Sequence, residues 1–247
     1  KFATESGKSK GQFYTPAEVS RILSKVIGIK NEMNTRATVY DPACGSGSLL
    51  IKALEEAPIN LAGYGQEKEN TTAGLAKMNN VLHGRATTII KADNTFSNPQ
   101  YFENDENKEV LKRFDYIVAN PPFSIKNWTD GLKEYGRFDG YGAMPPEKNG
   151  DYAWLMHIIK SLKDTGKAAV ILPHGVLFRG NAEAKIRETI INKGYIKGII
   201  SLPANLFYGT SIPACIIVLD KETADTRDSI FIIDASHDYI KDGNKNR

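Results

Sequence analysis

The sequence predicts an α/β fold of Rossmann-like type: a mostly parallel sheet of about seven strands with helices on both faces. Three observations predict it. Short apolar runs alternate along the chain with segments of helical spacing. The first such pair, at 37–54, is joined by a glycine turn, the opening unit of a nucleotide-binding α/β fold. The second run ends in a carboxylate, Glu67, 20 positions beyond Gly47, the spacing at which an acidic side chain meets a ribose hydroxyl pair.

The 247 residues suffice for one large α/β domain, and 41% hydrophobic with 25% charged residues is ordinary for a soluble globular chain. No apolar run is long enough to span a bilayer, and Lys1–Lys10 is polar, unlike a secretory leader. Cys44 and Cys215 form neither a disulfide framework nor a zinc pattern, and free thiols fit a reducing cytoplasm. The four histidines are scattered, so no metal is expected. The absence of a Gly-Lys-Ser/Thr phosphate loop argues against ATP-driven translocation. A net charge of +3 permits a polyanionic partner but places much of any grip outside this chain. We expect a single catalytic domain over 1–247, a piece of a longer subunit: a lid segment and helix (1–35), a core (36–220), then an edge strand and tail (221–247).

Residues 11–16, Gly-Gln-Phe-Tyr-Thr-Pro, precede a helix over Ala17–Ile27 whose Val19, Ile22, Leu23 and Val26 share one face. Thr15 suits its N-cap, with Pro16 at the first helical position. The pair Phe13-Tyr14 is not explained by a capped helix and suits the wall of a ligand slot. Ala37–Tyr40 reads as the first strand. It leads through Asp41-Pro-Ala-Cys-Gly-Ser-Gly47 into a helix carrying Leu49, Leu50, Ala53 and Leu54. Leu61–Gln66 is the second strand. Thr71–Leu82 is helical, with Leu75, Met78, Asn79 and Leu82 in register. Ala86–Lys91 is the third strand and presents Asp93 beyond its end, where α/β folds bind ligands. The polar stretch 94–112 reads as loop plus a short helix.

Phe114–Ala119 is the fourth strand, stopped by Asn120-Pro121-Pro122-Phe123. The prolines cannot donate to a ladder and hold their predecessors extended. Asn120 then sits at the strand tip, beside freed carbonyls and one aromatic face, a hook suited to a planar group bearing an amine. A plain strand-ending turn is the alternative reading of these four residues. In 124–151, Trp128, Tyr135, Phe138 and Tyr141 interleave with Lys126, Lys133 and Arg137, as on a nucleic-acid-facing surface. A helix from Asp151 through Leu162 stops near Gly166, and Ala168–Leu172 is the fifth strand. A helix (Asn181–Ile191) and strands at Ile196–Leu202 and Ala214–Leu219 follow. Ser229–Asp234 adds an edge strand.

The glycine turn lacks the third glycine of dinucleotide sites, since Leu50 stands there, and Asp41 at its mouth repels phosphate. Acidic residues at both Asp41 and Glu67 favour a cationic nucleoside ligand, S-adenosylmethionine, whose adenine amine Asp93 can accept.

The ordered motifs resemble the DNA adenine-N6 methyltransferases, and more narrowly the catalytic domain of modification (M) subunits of type I restriction–modification systems. Gly-Gln-Phe-Tyr-Thr-Pro at 11–16, Asp-Pro-Ala-Cys-Gly-Ser-Gly at 41–47, Gly-Gln-Glu at 65–67 and Asn-Pro-Pro-Phe at 120–123 carry the resemblance, with 172–180 and 202–210. It implies S-adenosyl-L-methionine as cofactor, held by Gln12, Phe13, Tyr14, Thr15, Pro16, Asp41, Ala43, Gly45, Ser46, Gly47, Ser48, Glu67, Asp93 and Asn120. It implies catalysis by Asn120, Pro121, Pro122 and Phe123 on an adenine flipped from double-stranded DNA. The implied partners are a specificity (S) subunit, a restriction (R) subunit and a second M subunit, with no membrane. Two other readings use the same hook: methylation of a protein glutamine, and a catalytically silent cofactor-binding scaffold.

Overall fold

The computed structural model describes residues 15–104, 106, 109–207, 210–243 and 245–246. Helix α1 (Ala17–Val26) precedes two strand–helix pairs, β1 (Thr38–Asp41) with α2 (Ser48–Glu56) and β2 (Ala62–Glu67) with α3 (Asn70–Leu82), and then two strands, β3 (Ile89–Ala92) and β4 (Phe114–Ala119). After a long loop come α4 (Asp151–Lys160), β5 (Leu162–Pro173), α5 (Ala182–Asn192), β6 (Ile196–Ser201), β7 (Ala214–Asp220) and β8 (Phe231–Asp234). The sheet has eight strands in the order β3-β2-β1-β4-β5-β7-β6-β8, one more than the expected seven because the 229–234 segment does join the edge. Every neighbouring pair is parallel except the two made by β7.

The chain leaves β1 toward β2 and β3, then returns to β4 on the other side of β1. That reversal is a topological switch point at the carboxyl ends of β1 and β4, the place where doubly wound folds seat their ligands in a crevice. Alternation sorts the strand side chains into two cores. Val39, Tyr116 and Val118 pack with Leu23 of α1, Leu50 and Leu54 of α2, and Ala73 and Ala76 of α3. Tyr40, Ile117 and Ala119 face the opposite way, onto Met156 of α4 and Ile186 of α5. Among the described residues, no helix is long and apolar enough to cross a membrane.

Four expectations change. The helix at 151 ends at Lys160, and β5 begins at Leu162 because Leu162 pairs with Phe114 beyond a bulge in the β4–β5 ladder. In α3 the buried face is Ala73, Ala76 and Asn80, while Leu75, Met78 and Leu82 are exposed. The helix lies too close to the Gly47 turn for larger residues. The described part of 94–112 forms turns rather than a helix, and buries Phe96, Tyr101, Phe102 and Leu111.

The fourth change concerns the aromatic loop at 124–150. Trp128, Phe138 and Tyr141 are buried in the core over α4, and Arg137 is 1% exposed. Its guanidinium donates to the carbonyls of Thr95, Phe96, Lys133 and Glu134, and lies over the Phe96 and Phe138 rings. Trp128, Arg137, Phe138 and Tyr141 are therefore the inside of a packed loop rather than a nucleic-acid surface, while Tyr135 is half-buried and Lys126 and Lys133 are exposed.

Candidate active site

The carboxyl tips of β1 and β4 are hydrogen-bonded neighbours, with Tyr40 opposite Ile117. The turn that follows Asp41 and the hook that follows Ala119 therefore open on the same edge of the sheet, one strand apart.

At the β1 tip, Asp41 is 1% exposed and its Oδ1 accepts the Ala43 N–H at 3.0 Å. The turn closes through Gly47 N–H to Cys44 O, 2.7 Å, and through Cys44 N–H to Gln66 O, 2.9 Å. Gly47, at φ 78°, starts α2, and a Cβ there would stand 2.9 Å from Asn80 Nδ2. Gly45 also has positive φ, 53°, but a Cβ there would meet only open space. One glycine serves packing against α3, then, and the other faces outward. The Ser46 and Ser48 hydroxyls bond each other at 2.9 Å, and Asn79 of α3 donates to Ser46 O.

At the β2 tip, Glu67 accepts the Gly45 N–H on Oε2 at 3.0 Å and the Glu69 N–H on Oε1 at 2.9 Å. The carboxylate thus reaches across to the glycine turn. Beyond β3, Asp93 donates its N–H to Glu67 O, and its side chain accepts Asn94 N–H and Asn98 Nδ2. Asp41 and Glu67 sit close in a poorly hydrated mouth. Burial, with a smaller push from Glu67, raises the Asp41 carboxyl to about 8. Burial also raises Glu67, against the opposing pull of the Glu69 and Gly45 N–H groups. A cation arriving beside Asp41 would favour its ionised form.

At the β4 tip, Asn120 Nδ2 donates to Thr15 Oγ1 at 2.9 Å. This corrects the capping role expected of Thr15: Pro16 occupies the N-cap of α1, which has no side-chain cap. The threonine instead ties the segment before α1 to the hook, 105 positions away. Asn120 Oδ1 is buried and accepts no hydrogen bond among the described residues. Such an acceptor is costly and marks a place built for a donor. Pro121 is buried, Pro122 and Phe123 are half-buried, and the Phe123 ring meets Phe207 edge-on at 6.0 Å.

The tips thus bring together Asp41, Ala43, Gly45, Ser46, Gly47, Ser48 and Glu67 on one side, and Asn120 to Phe123 with Thr15 and Pro16 on the other. Asp93 lies one strand further out. Gln12, Phe13 and Tyr14 lie outside the described residues. The sequence reading missed Gln66. It is fully buried, donates to the carbonyls of Asp93 and Asn98 at 3.1 Å, and accepts Gln100 N–H, so it holds the 93–100 loop on the site. A long amide amid a buried strand end was its only signal.

The family model described as N-6 DNA Methylase matches residues 1–247. The chain is 36% identical over 258 residues to the type I restriction enzyme MpnII methylase subunit of Mycoplasma pneumoniae, covering 100% of this chain and 46% of that protein. It is 34% identical to the HindI methylase subunit of Haemophilus influenzae, covering 98% of this chain and 53% of that one. Among solved structures, the type I restriction-modification system methyltransferase subunit from Streptococcus thermophilus superimposes with a TM-score of 0.86 at 37% identity, over 99% of this chain and 52% of that chain. The chain spans about half the length of the curated relatives it matches. Its α/β architecture is that of S-adenosylmethionine-dependent methyltransferases. With the family model matched from end to end, the chain belongs to the N-6 DNA methylase family.

Proposed function

We propose that the protein transfers a methyl group from S-adenosylmethionine to the N6 amine of an adenine flipped out of double-stranded DNA, as the modification subunit of a type I restriction–modification system. The observation that carries this reading is Asn120 Oδ1, a buried acceptor without a partner among the described residues, one strand from an acidic glycine turn.

The residues fit the cofactor. Asp41 and Glu67 supply negative charge for its ammonium and sulfonium. Gly45 leaves room for close backbone approach, and Glu67 and Asp93 stand where ribose and adenine would lie. When bound, the cofactor supplies an electrophilic methyl group on sulfur. The hook does the rest. Asn120 Oδ1 and the Pro121 carbonyl each accept one N6 hydrogen, which turns the nitrogen lone pair out of conjugation and toward the methyl. Positive charge then grows on N6, and fixed acceptors stabilise it without reorganising. The N–C bond would form as the sulfonium's bond to that methyl breaks, its electron pair returning to sulfur to leave a neutral thioether, and the extra N6 proton is then lost to solvent. Phe123 stacks on the flipped base, whose extraction from the duplex it helps offset. Gln12, Phe13, Tyr14, Thr15 and Pro16 would contact the methionine end, and the Thr15–Asn120 bond ties the described end of that segment to the hook.

In this reading the chain is the catalytic piece of a longer subunit, with 1–35 as lid and 221–247 as edge strand and tail. Sequence reading of DNA belongs to a specificity subunit, with a second M subunit and the restriction subunit completing the complex. The setting is the cytoplasm of a bacterium or archaeon. The full-length complex is incubated with labelled cofactor and adenine-containing duplex DNA, and the digested nucleosides are analysed by mass spectrometry. Labelled N6-methyl-2′-deoxyadenosine is the expected product. Label on protein glutamine, or on no substrate, overturns the reading.

A further inference from the structure

The hook has a second anchor, away from the crevice. Ser124 follows Phe123 directly and has φ 50°, a left-handed conformation that a serine adopts only when its surroundings enforce it. Asp151, the first residue of α4, enforces it. Its Oδ1 accepts the Ser124 N–H at 2.6 Å, and its Oδ2 accepts the Ser124 hydroxyl at 3.3 Å. Asp151 is fully buried. Its counter-charge is Arg179, from the turn after β5, whose Nη2 donates to Asp151 Oδ2 at 2.7 Å. The same guanidinium forks onto Glu183 of α5, through Nη2 at 3.1 Å and through Nε. Asn149 completes the ring: its Nδ2 donates to Ser124 Oγ at 3.5 Å, and its Oδ1 accepts Arg179 Nη2 at 3.4 Å and the Asp151 N–H at 3.1 Å.

We propose that Asp151 and Arg179 are positioning residues for methyl transfer, a buried ionic clamp that fixes the exit of the Asn120–Phe123 hook and so the aim of its acceptors. This rests on the proposed methyltransferase reading. A clamp serving general stability would sit anywhere in the core. This one grips the single residue joining the hook to the following loop, in a strained conformation, through a carboxylate with no solvent contact. The hook is thereby held at both ends: Thr15 at Asn120 and Asp151 at Ser124. The clamp also gives a role to the arginine of the 172–180 motif.

The test compares Asp151→Asn and Arg179→Lys with the unmodified full-length complex, in methyl transfer, cofactor affinity and thermal stability. Asparagine keeps the volume and can still accept the Ser124 N–H, but turns a donor toward Arg179 and the Ser124 hydroxyl. Lysine keeps a charge on a partly exposed side chain, so folding is retained, but it cannot fork onto both carboxylates. The expected result is a fall in kcat, on the order of a hundredfold for a displaced reacting geometry, with cofactor affinity and the KM for DNA little changed. A 2-aminopurine placed at the target should still be flipped, yet show altered fluorescence from a misaligned stack on Phe123. If both variants keep the unmodified kcat, or if either loses rate only in proportion to lost cofactor affinity and stability, the clamp is structural and the proposal is wrong. If the unmodified complex methylates no adenine, it is the function itself that has failed, independently of the variants.

Discussion

Asn120 carries two opposite tasks on one carboxamide: its nitrogen donates to Thr15 while its oxygen stays buried with no donor among the described residues. Asn120→Ala removes both. We expect it to cut methyl transfer by on the order of 10²–10³-fold, as for loss of one preorganised hydrogen-bonding group, while calorimetry finds cofactor affinity nearly intact. Asp41 makes a different prediction, on pH. Its carboxyl sits near 8 in the folded chain through burial, against about 3.9 when unfolded. The folded state therefore holds a proton that the unfolded state releases. The stability this contributes is complete below about pH 4 and lost as pH rises through the folded value near 8. Asp41→Asn should remove that slope. Without cofactor, the variant's melting temperature should gain on the unmodified protein steadily between those limits, by up to a few kcal/mol equivalent. A constant offset would show that Asp41 ionises normally. Cofactor, being cationic, should release the proton: the binding enthalpy near neutral pH should vary with the ionisation heat of the buffer, and that variation should vanish in Asp41→Asn.

Between β1 and α2, two glycines of one turn do separable work. Gly47→Ala sets a Cβ against Asn80 and Ala76 at positive φ, and should cost about 1–3 kcal/mol of stability, read as a lower melting temperature. Gly45→Ala meets no protein atom, and should cost about 1 kcal/mol of stability but a larger share of cofactor affinity. Equal effects of the two on both readouts would refute the division. The loop between β4 and α4 shows where sequence stops being legible. Aromatics interleaved with cations describe a nucleic-acid groove and an inward-packed loop equally well. Only the tertiary structure reveals that Arg137 spends its donors on four carbonyls, with its bonds to Thr95 and Phe96 buried. Arg137→Met should thus destabilise by roughly 3 kcal/mol or more, since each unpaired buried carbonyl costs about 1–3 kcal/mol, and leave the salt dependence of DNA binding unchanged. Thr15 was misread for a related reason: local spacing makes it a helix cap, whereas its real partner is remote in sequence. By contrast the glycine turn after β1 and the prolyl stop after β4 were readable as backbone features because each rests on local backbone rules.

Across the whole molecule, the order of alternating elements was enough to read an α/β sheet, since apolar runs of strand length separated by amphipathic helices have few other solutions. The edge was harder. β8 exposes Phe231, Ile232 and Ile233, so burial does not distinguish it from loop. The reversed strand β7 pairs antiparallel on both sides, a choice that its uniformly buried sequence does not encode. What the topology secures is the adjacency of β1 and β4, and on the proposed function that edge serves both methyl donor and acceptor. The most direct test of that adjacency is a crystal structure of the chain with S-adenosylmethionine. The account predicts the ribose at Glu67, the methionine end at the Asp41–Gly47 turn, and the methyl group pointing at Asn120 Oδ1. A cofactor seated away from the β1–β4 crevice, or with its methyl turned from Asn120, would contradict it.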